Sequence, residues 1–310
     1  MRSTIGKRVL YFYFGQWGLL IIAVMLLAAV KVSSSAVPVV LFGGLALLIL
    51  EGPLLLRAAR RHDVRRSAEL LAPYTESLVQ FESEAVAIVL TKMSSDDVTA
   101  SKYGGRPCLR ALSDWPQNQE GRFYCFVGQV NFGEVPAFPD SPLPERGVLM
   151  LFADFNGECY GDGWAKVIYN EQAEYDGAFP TPSQEQAPRL HKMRFQLITT
   201  SPGVSHEDEY SLREILHSDK LIEAYNTALA GGAAHQLLGH PGPIQWDPRW
   251  DVLEKDVSKE RLLEWVLLWQ VDLGPHLGTF GDWPRLYLVI EADKLGKEDF
   301  SDVRASFQMS

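Results

Sequence analysis

Apolar positions along this chain fall into two regimes. Val9–Val30 is a run of 22 residues without a charge; after Lys31-Val-Ser-Ser-Ser a second apolar run spans Ala36–Leu50 and resumes at Leu54–Leu56. At about 1.5 Å per residue the first run is roughly 33 Å long as a helix, and the second, extended through Glu51 and Pro53 to Leu56, is roughly 31 Å. Both lengths match a hydrocarbon core of about 30 Å and predict two transmembrane helices within Val9–Leu56. A cleaved signal peptide fits less well, because a second apolar run follows so closely. A buried hairpin of a soluble domain is the other reading.

Beyond residue 66 the apolar blocks become short. Asp63–Leu71 reads as a helix, and Pro73 breaks it. Ala85–Leu90, Tyr124–Phe132, Val148–Phe152, Ala165–Tyr169, Arg194–Thr199, Trp265–Leu273 and Leu286–Ile290 read as strands bounded by Gly, Pro, Asn or Asp. Tyr74–Glu84 can form another, turn-rich helix, and beyond it helical spacing is seen at Ser211–Leu216 and Leu221–Ala230. Glu134–Glu145 and Ala178–Arg189 are Pro-rich loops. Strands and helices do not alternate, so the pattern predicts an α+β domain of mostly antiparallel sheets rather than a doubly wound one. The expected organisation is a hairpin over 1–66, a linker helix over 67–84 and a soluble domain over 85–310.

One segment is echoed. Tyr124-Cys-Phe-Val-Gly-Gln129-Val-Asn131-Phe-Gly is matched by Trp265-Val-Leu-Leu-Trp-Gln270-Val-Asp272-Leu-Gly, and each is followed by a loop and a second apolar strand. The match predicts duplication of a strand–loop–strand unit.

Charge divides the chain. Residues 1–66 hold nine basic and two acidic side chains, a net of +7; the other 20 basic and 37 acidic residues leave 67–310 at −17. The basic excess includes a collar of Arg57, Arg60, Arg61, Arg65 and Arg66, suited to anionic headgroups. Because Lys and Arg concentrate outside the short connecting loop, both termini and the large domain are expected on the cytoplasmic side of the inner membrane, in a two-pass topology. The acidic domain should be repelled by nucleic acid and suits a basic protein partner. Cys108, Cys125 and Cys159 are odd in number and lack CxxC spacing, so they read as reduced thiols.

His235, His240, Asp247 and Arg249 form the densest polar group. They read either as a ligand pocket, with Arg249 on an anion and His235 as acid or base, or as a loop clamp satisfying buried backbone; the clamp is the stronger reading. Gln129 and Gln270 lie inside apolar strands, where a buried amide is costly unless bonded. They read as loop ties in preference to ligand contacts. Asp282 is a further ligand-binding candidate. Neither a Gly-x-Ser-x-Gly elbow nor a phosphate loop occurs, and the histidines lack metal-ligand spacing, so no metal or cofactor is implied.

Ser101-Lys102-Tyr103-Gly104-Gly105-Arg106-Pro107 followed by Trp115-Pro116 resembles the signature of the YwqG-like family, a bacterial domain of unknown function. Gln129-Val-Asn-Phe, His235-Gln-Leu-Leu-Gly-His240-Pro with Gln245-Trp-Asp247-Pro-Arg249, Leu268-Trp-Gln270-Val-Asp272 and Gly281-Asp282 with Asp299-Phe-Ser-Asp agree with it. Gln236 and Leu238-Gly239 depart from that family's Lys and double glycine, and Trp283-Pro284 departs from its glycine turn. The resemblance implies an α+β fold with an internal repeat and brings no established activity. Three functions remain open at this stage: a membrane-anchored protein- or ligand-binding module, including an inhibitor or immunity type; a hydrolase using the His235–Arg249 loop; and a structural membrane-associated protein.

Overall fold

The computed structural model describes residues 60–155, 163–176, 181–182, 188–204, 210–253, 257–274 and 284–309. The chain divides into two compact units, one of Met1–Pro73 with Glu223–Ala228 and one of Tyr74–Ile222 with Leu229–Ser310. In the first, 60–71 is helical and carries an exposed pair four residues apart, Arg65–Glu69. The transmembrane expectation is corrected here. No helix among the described residues is long and apolar enough to cross a membrane. The two runs within Val9–Leu56 that suggested spans, together with Arg57, lie outside the described residues. Neither the spans nor the two-pass inner-membrane location is carried forward.

The second unit is built on one ten-stranded sheet. Its strands are β1 (Ser83–Lys92), β2 (Lys102–Tyr103), β3 (Cys125–Asn131), β4 (Val148–Ala153), β5 (Ala165–Asn170), β6 (His191–Thr200), β7 (Gln236–Leu237), β8 (Trp265–Asp272), β9 (Arg285–Glu291) and β10 (Arg304–Gln308). Their order is β10-β9-β8-β7-β1-β6-β2-β3-β4-β5, and every pairing is antiparallel. The sheet curls until its edges meet. Trp164 beside β5 packs on Phe307 of β10 at 5.9 Å, and Tyr169 of β5 packs on Phe300 at 4.7 Å between ring centroids. The result is a nearly closed barrel, sealed by aromatic packing where a hydrogen-bonded ladder would otherwise leave open edges. This corrects the α+β expectation. Of the expected helical segments Ser211–Leu216 shortens to Leu212–Ile215 and Leu221–Ala230 keeps its length at Asp219–Ala228, too little to make a helical layer.

The duplication is larger than a strand–loop–strand unit. Five strands repeat: β1 to β5 correspond in order, and in length to within one residue, to β6 to β10, down to the two-residue β2 and β7. The matched strands share an irregularity as well. Register shifts between Phe126 and Gly128 in β3, and at the aligned Leu267 and Trp269 in β8. The halves are not side by side. β1 pairs with β6 over ten residues and then with β7 of the second half, while β6 pairs with β2 of the first. Each half thus lends its first strand to the other.

Inside the barrel Val86, Ile88, Leu149, Leu151, Leu268, Trp269, Leu286, Leu288 and Ile290 form one buried apolar cluster. The strands β4 and β9 are apolar on both faces because loops cover the outside. Cys108, Leu109 and Trp115 pack over Phe126, Val148, Met150 and Phe152. In the other half the segment after Gly242 covers β9, with the Ile244 N–H donating to the Tyr287 hydroxyl at 3.2 Å. This two-sided burial makes these strands read as continuous apolar runs without alternation.

Candidate functional site

The residues singled out in the sequence gather into two equivalent cradles, one around each two-residue strand. In the first, the Gln129 amide donates to the carbonyls of Val98 and Ala100 at 2.7 and 2.9 Å, and its oxygen accepts from Cys108 N–H at 3.0 Å. In the second, the Gln270 amide donates to Ala233 at 2.6 Å and accepts from Gly242 N–H at 2.9 Å. Both glutamines are fully buried and spend their amides on loop backbone. Ser101 and His235 occupy matched places: the Ser101 hydroxyl accepts from Asn131 N–H at 2.8 Å, and His235 Nδ1 accepts from Asp272 N–H at 3.1 Å. Asn131 and Asp272 in turn accept from Gly133 and Gly274 N–H, each at 3.0 Å.

Besides Ser101 and His235, the cradles differ at the next buried position. Lys102 is fully buried, and its ammonium contacts Asp96 at 2.5 Å and the Asp97 carbonyl at 2.6 Å. Burial pushes the Lys102 pKa down, opposed by Asp96 and Asp97. The matched residue in β7 is Gln236, whose amide bonds the carbonyls of Leu238 and His240, each at 2.9 Å. Its Oε1 is buried without a partner. Where the first turn has Gly104 at φ +60°, the second has Leu238 at φ +57°, a strained conformation for a branched side chain. Two of the departures from the family signature noted in the sequence, Gln236 and Leu238-Gly239, therefore lie at the second turn, while Trp283 lies outside the described residues.

Asp247 and Arg249 form a buried bidentate pair, with Nη2 to Oδ2 at 2.7 Å and Nε to Oδ1 at 2.9 Å. Arg249 also reaches the Trp265 carbonyl at 3.3 Å and the Tyr210 hydroxyl at 3.1 Å. In the first half Trp115, at the same spacing past its cradle, donates to the matched Tyr124 carbonyl at 2.8 Å. Arg249 thus does the work of a structural tryptophan. Burial alone would lower the Arg249 pKa; the hydrogen bonds and charge of Asp247 outweigh it and hold it above the ordinary value. The His240 ring donates through Nε2 to the Phe81 carbonyl at 2.8 Å, and burial pushes its pKa down to about 4, so it is neutral near pH 7. Asp282 and Cys159 lie outside the described residues. Burial pushes the thiols of Cys108 and Cys125 up to about 11 and about 12, away from thiolate chemistry. Among the described residues no group of three His, Cys, Asp or Glu could hold a metal ion.

A cleft of about 610 Å³ opens beside the second turn. Leu238, Pro241, Leu263, Trp265 and Leu267 contribute its apolar wall, and Glu82, Glu84 and Asp140 contribute exposed carboxylates. These three acids were missed in the sequence, where each reads as an ordinary surface charge. Only the fold brings the start of β1, the loop after β3 and the segment before β8 together.

A filled, duplicated antiparallel barrel whose buried polar groups serve its own loops, with one acid-rimmed cleft, is the class of protein these observations define. Residues 101–308 match the model of a domain of unknown function, DUF1963, and the chain belongs to that family. No curated protein matches the chain.

Proposed function

We propose that this domain is a protein- or ligand-binding module whose site is the cleft beside the second turn, and we read the YwqG-like resemblance as this same family. One observation carries the proposal: the polar groups that could have run a reaction are engaged in holding loops, while the cleft remains open. His235 Nδ1 accepts a backbone N–H, His240 donates to a carbonyl, and both Asp247 oxygens lie on Arg249. A hydrolase needs a base free to take a proton within reach of substrate, and this loop offers none. The cleft volume lies within the roughly 300–1,000 Å³ of small-ligand and anchor-residue pockets.

The test is photo-crosslinking in the native host with p-benzoylphenylalanine in place of Leu263, a half-exposed residue of the cleft wall. A discrete crosslinked species is expected there and not from Val79, which is exposed elsewhere. Uncrosslinked chain alone at both positions, or the same species from both, would reject the cleft as the site.

A further inference from the structure

We propose that the cleft takes a basic, apolar segment of a partner protein, with a lysine or arginine among Glu82, Glu84 and Asp140 and an aliphatic or aromatic neighbour against Leu238, Pro241 and Leu263. This rests on the binding reading of the same cleft and names the chemistry of its occupant. The three carboxylates line one opening, all are exposed, and none has a cationic partner among the described residues. The wall holds two groups that could offset them, and neither does. Arg249 is neutralised by Asp247, and His240 is uncharged near pH 7. Some acids elsewhere on this surface are paired with cations. Glu291 and Asp302 meet Lys294, and Glu171 meets Arg146. Unmatched like charges beside an apolar wall raise the free energy of the empty site and lower it when a cation arrives.

The apolar wall excludes a purely ionic ligand such as a free polyamine as the best fit, because burial of the exposed Leu263 needs a carbon partner. The net charge of −17 over residues 67–310 adds a long-range field of the same sign. That field repels nucleic acid and anionic lipid, and it speeds the approach of a basic protein.

Three capped seven-residue peptides test this on the full chain: alternating Leu–Lys, Leu–Ser and Gly–Lys, titrated by calorimetry at low and high salt. The Leu–Lys peptide should bind about tenfold more tightly than either control, and more weakly as salt rises. Glu82→Gln with Glu84→Gln and Asp140→Asn should remove about that tenfold preference. Asp140→Asn alone, in an exposed loop at φ +58° that asparagine tolerates, should remove part of it and keeps the test valid if the triple variant does not fold. Equal binding of Leu–Ser overturns the basic occupant, equal binding of Gly–Lys overturns the apolar one, and an unchanged triple variant places the site elsewhere. If no peptide binds while the Leu263 crosslink persists, the proposed occupant fails and the cleft stands. If the crosslink is also absent, the binding reading fails with it.

Discussion

At the scale of residues, the buried polar groups decide stability, and one of them ties it to pH. Asp247 has its carboxylate on a guanidinium that is nearly sealed from water. Asp247→Ala leaves that charge unpaired and should cost about 3–5 kcal/mol. A thermal melt should fall by roughly 10 °C, and an unchanged melting temperature would reject the clamp. His240 acts through protonation. Its folded pKa of about 4 lies below the ordinary 6.5, so the unfolded chain takes up a proton that the folded one refuses. Stability is therefore full above about pH 6.5 and lost as pH falls toward about 4, by on the order of 2–3 kcal/mol. His240→Gln keeps a donor for Phe81 and does not titrate. Its melting temperature should fall less than that of the parent between pH 7 and pH 4.5, and equal slopes would show that His240 stays hydrated. The roles of Gln129 and Gln270 were legible in the sequence, because an amide inside an apolar strand must find partners. The acids of the cleft were not, because an isolated Glu on a loop carries no signal until distant segments converge.

At the scale of elements, strands with an apolar run or alternation of their own were readable, and β2, β7 and β10 were not. β3, β4, β8 and β9 lie within a residue or two of their expected bounds, since burial on both faces leaves an uninterrupted apolar block. β2 and β7 have two residues each, too few for any period to show, and sit in turn-like Gly and Pro surroundings. β10 reads Arg-Ala-Ser-Phe-Gln, with little apolar character, and is recognisable only as the counterpart of β5. The matched glutamines make the equivalence of the two cradles measurable. Gln129→Leu and Gln270→Leu each remove the partners of buried backbone groups and should each cost about 2–4 kcal/mol. Costs that differ by more than about twofold would mean that one cradle has become dispensable, and the second, with the unpartnered Gln236 oxygen and strained Leu238, is the one to suspect.

At the scale of the whole molecule, the echoed sequence announced a repeat and could not say how the copies join. Pairing partners of a strand are a tertiary property: β1 is as apolar as a strand that stays home, yet it completes the other half's sheet. The exchange predicts that residues 74–184 or 185–310 expressed alone give no cooperative melt. Expressed together from two chains they should assemble a folded complex with a single transition. A sharp monomeric melt from either fragment would contradict the exchange. The lent strand also sets a schedule for synthesis. β1 leaves the ribosome about a hundred residues before His191–Thr200, its main partner, and at roughly 5–20 residues per second that interval is on the order of ten seconds. During it Ala85-Val-Ala-Ile is an apolar strand without an edge to join, flanked by Glu82, Glu84 and Lys92 as charged guards against pairing with other chains. A nascent chain arrested before His191 should crosslink to chaperones through β1, whereas one arrested with Leu237 well clear of the tunnel should not. The acids that rim the cleft in the finished protein would then be protecting the strand beside them while the protein is still being made.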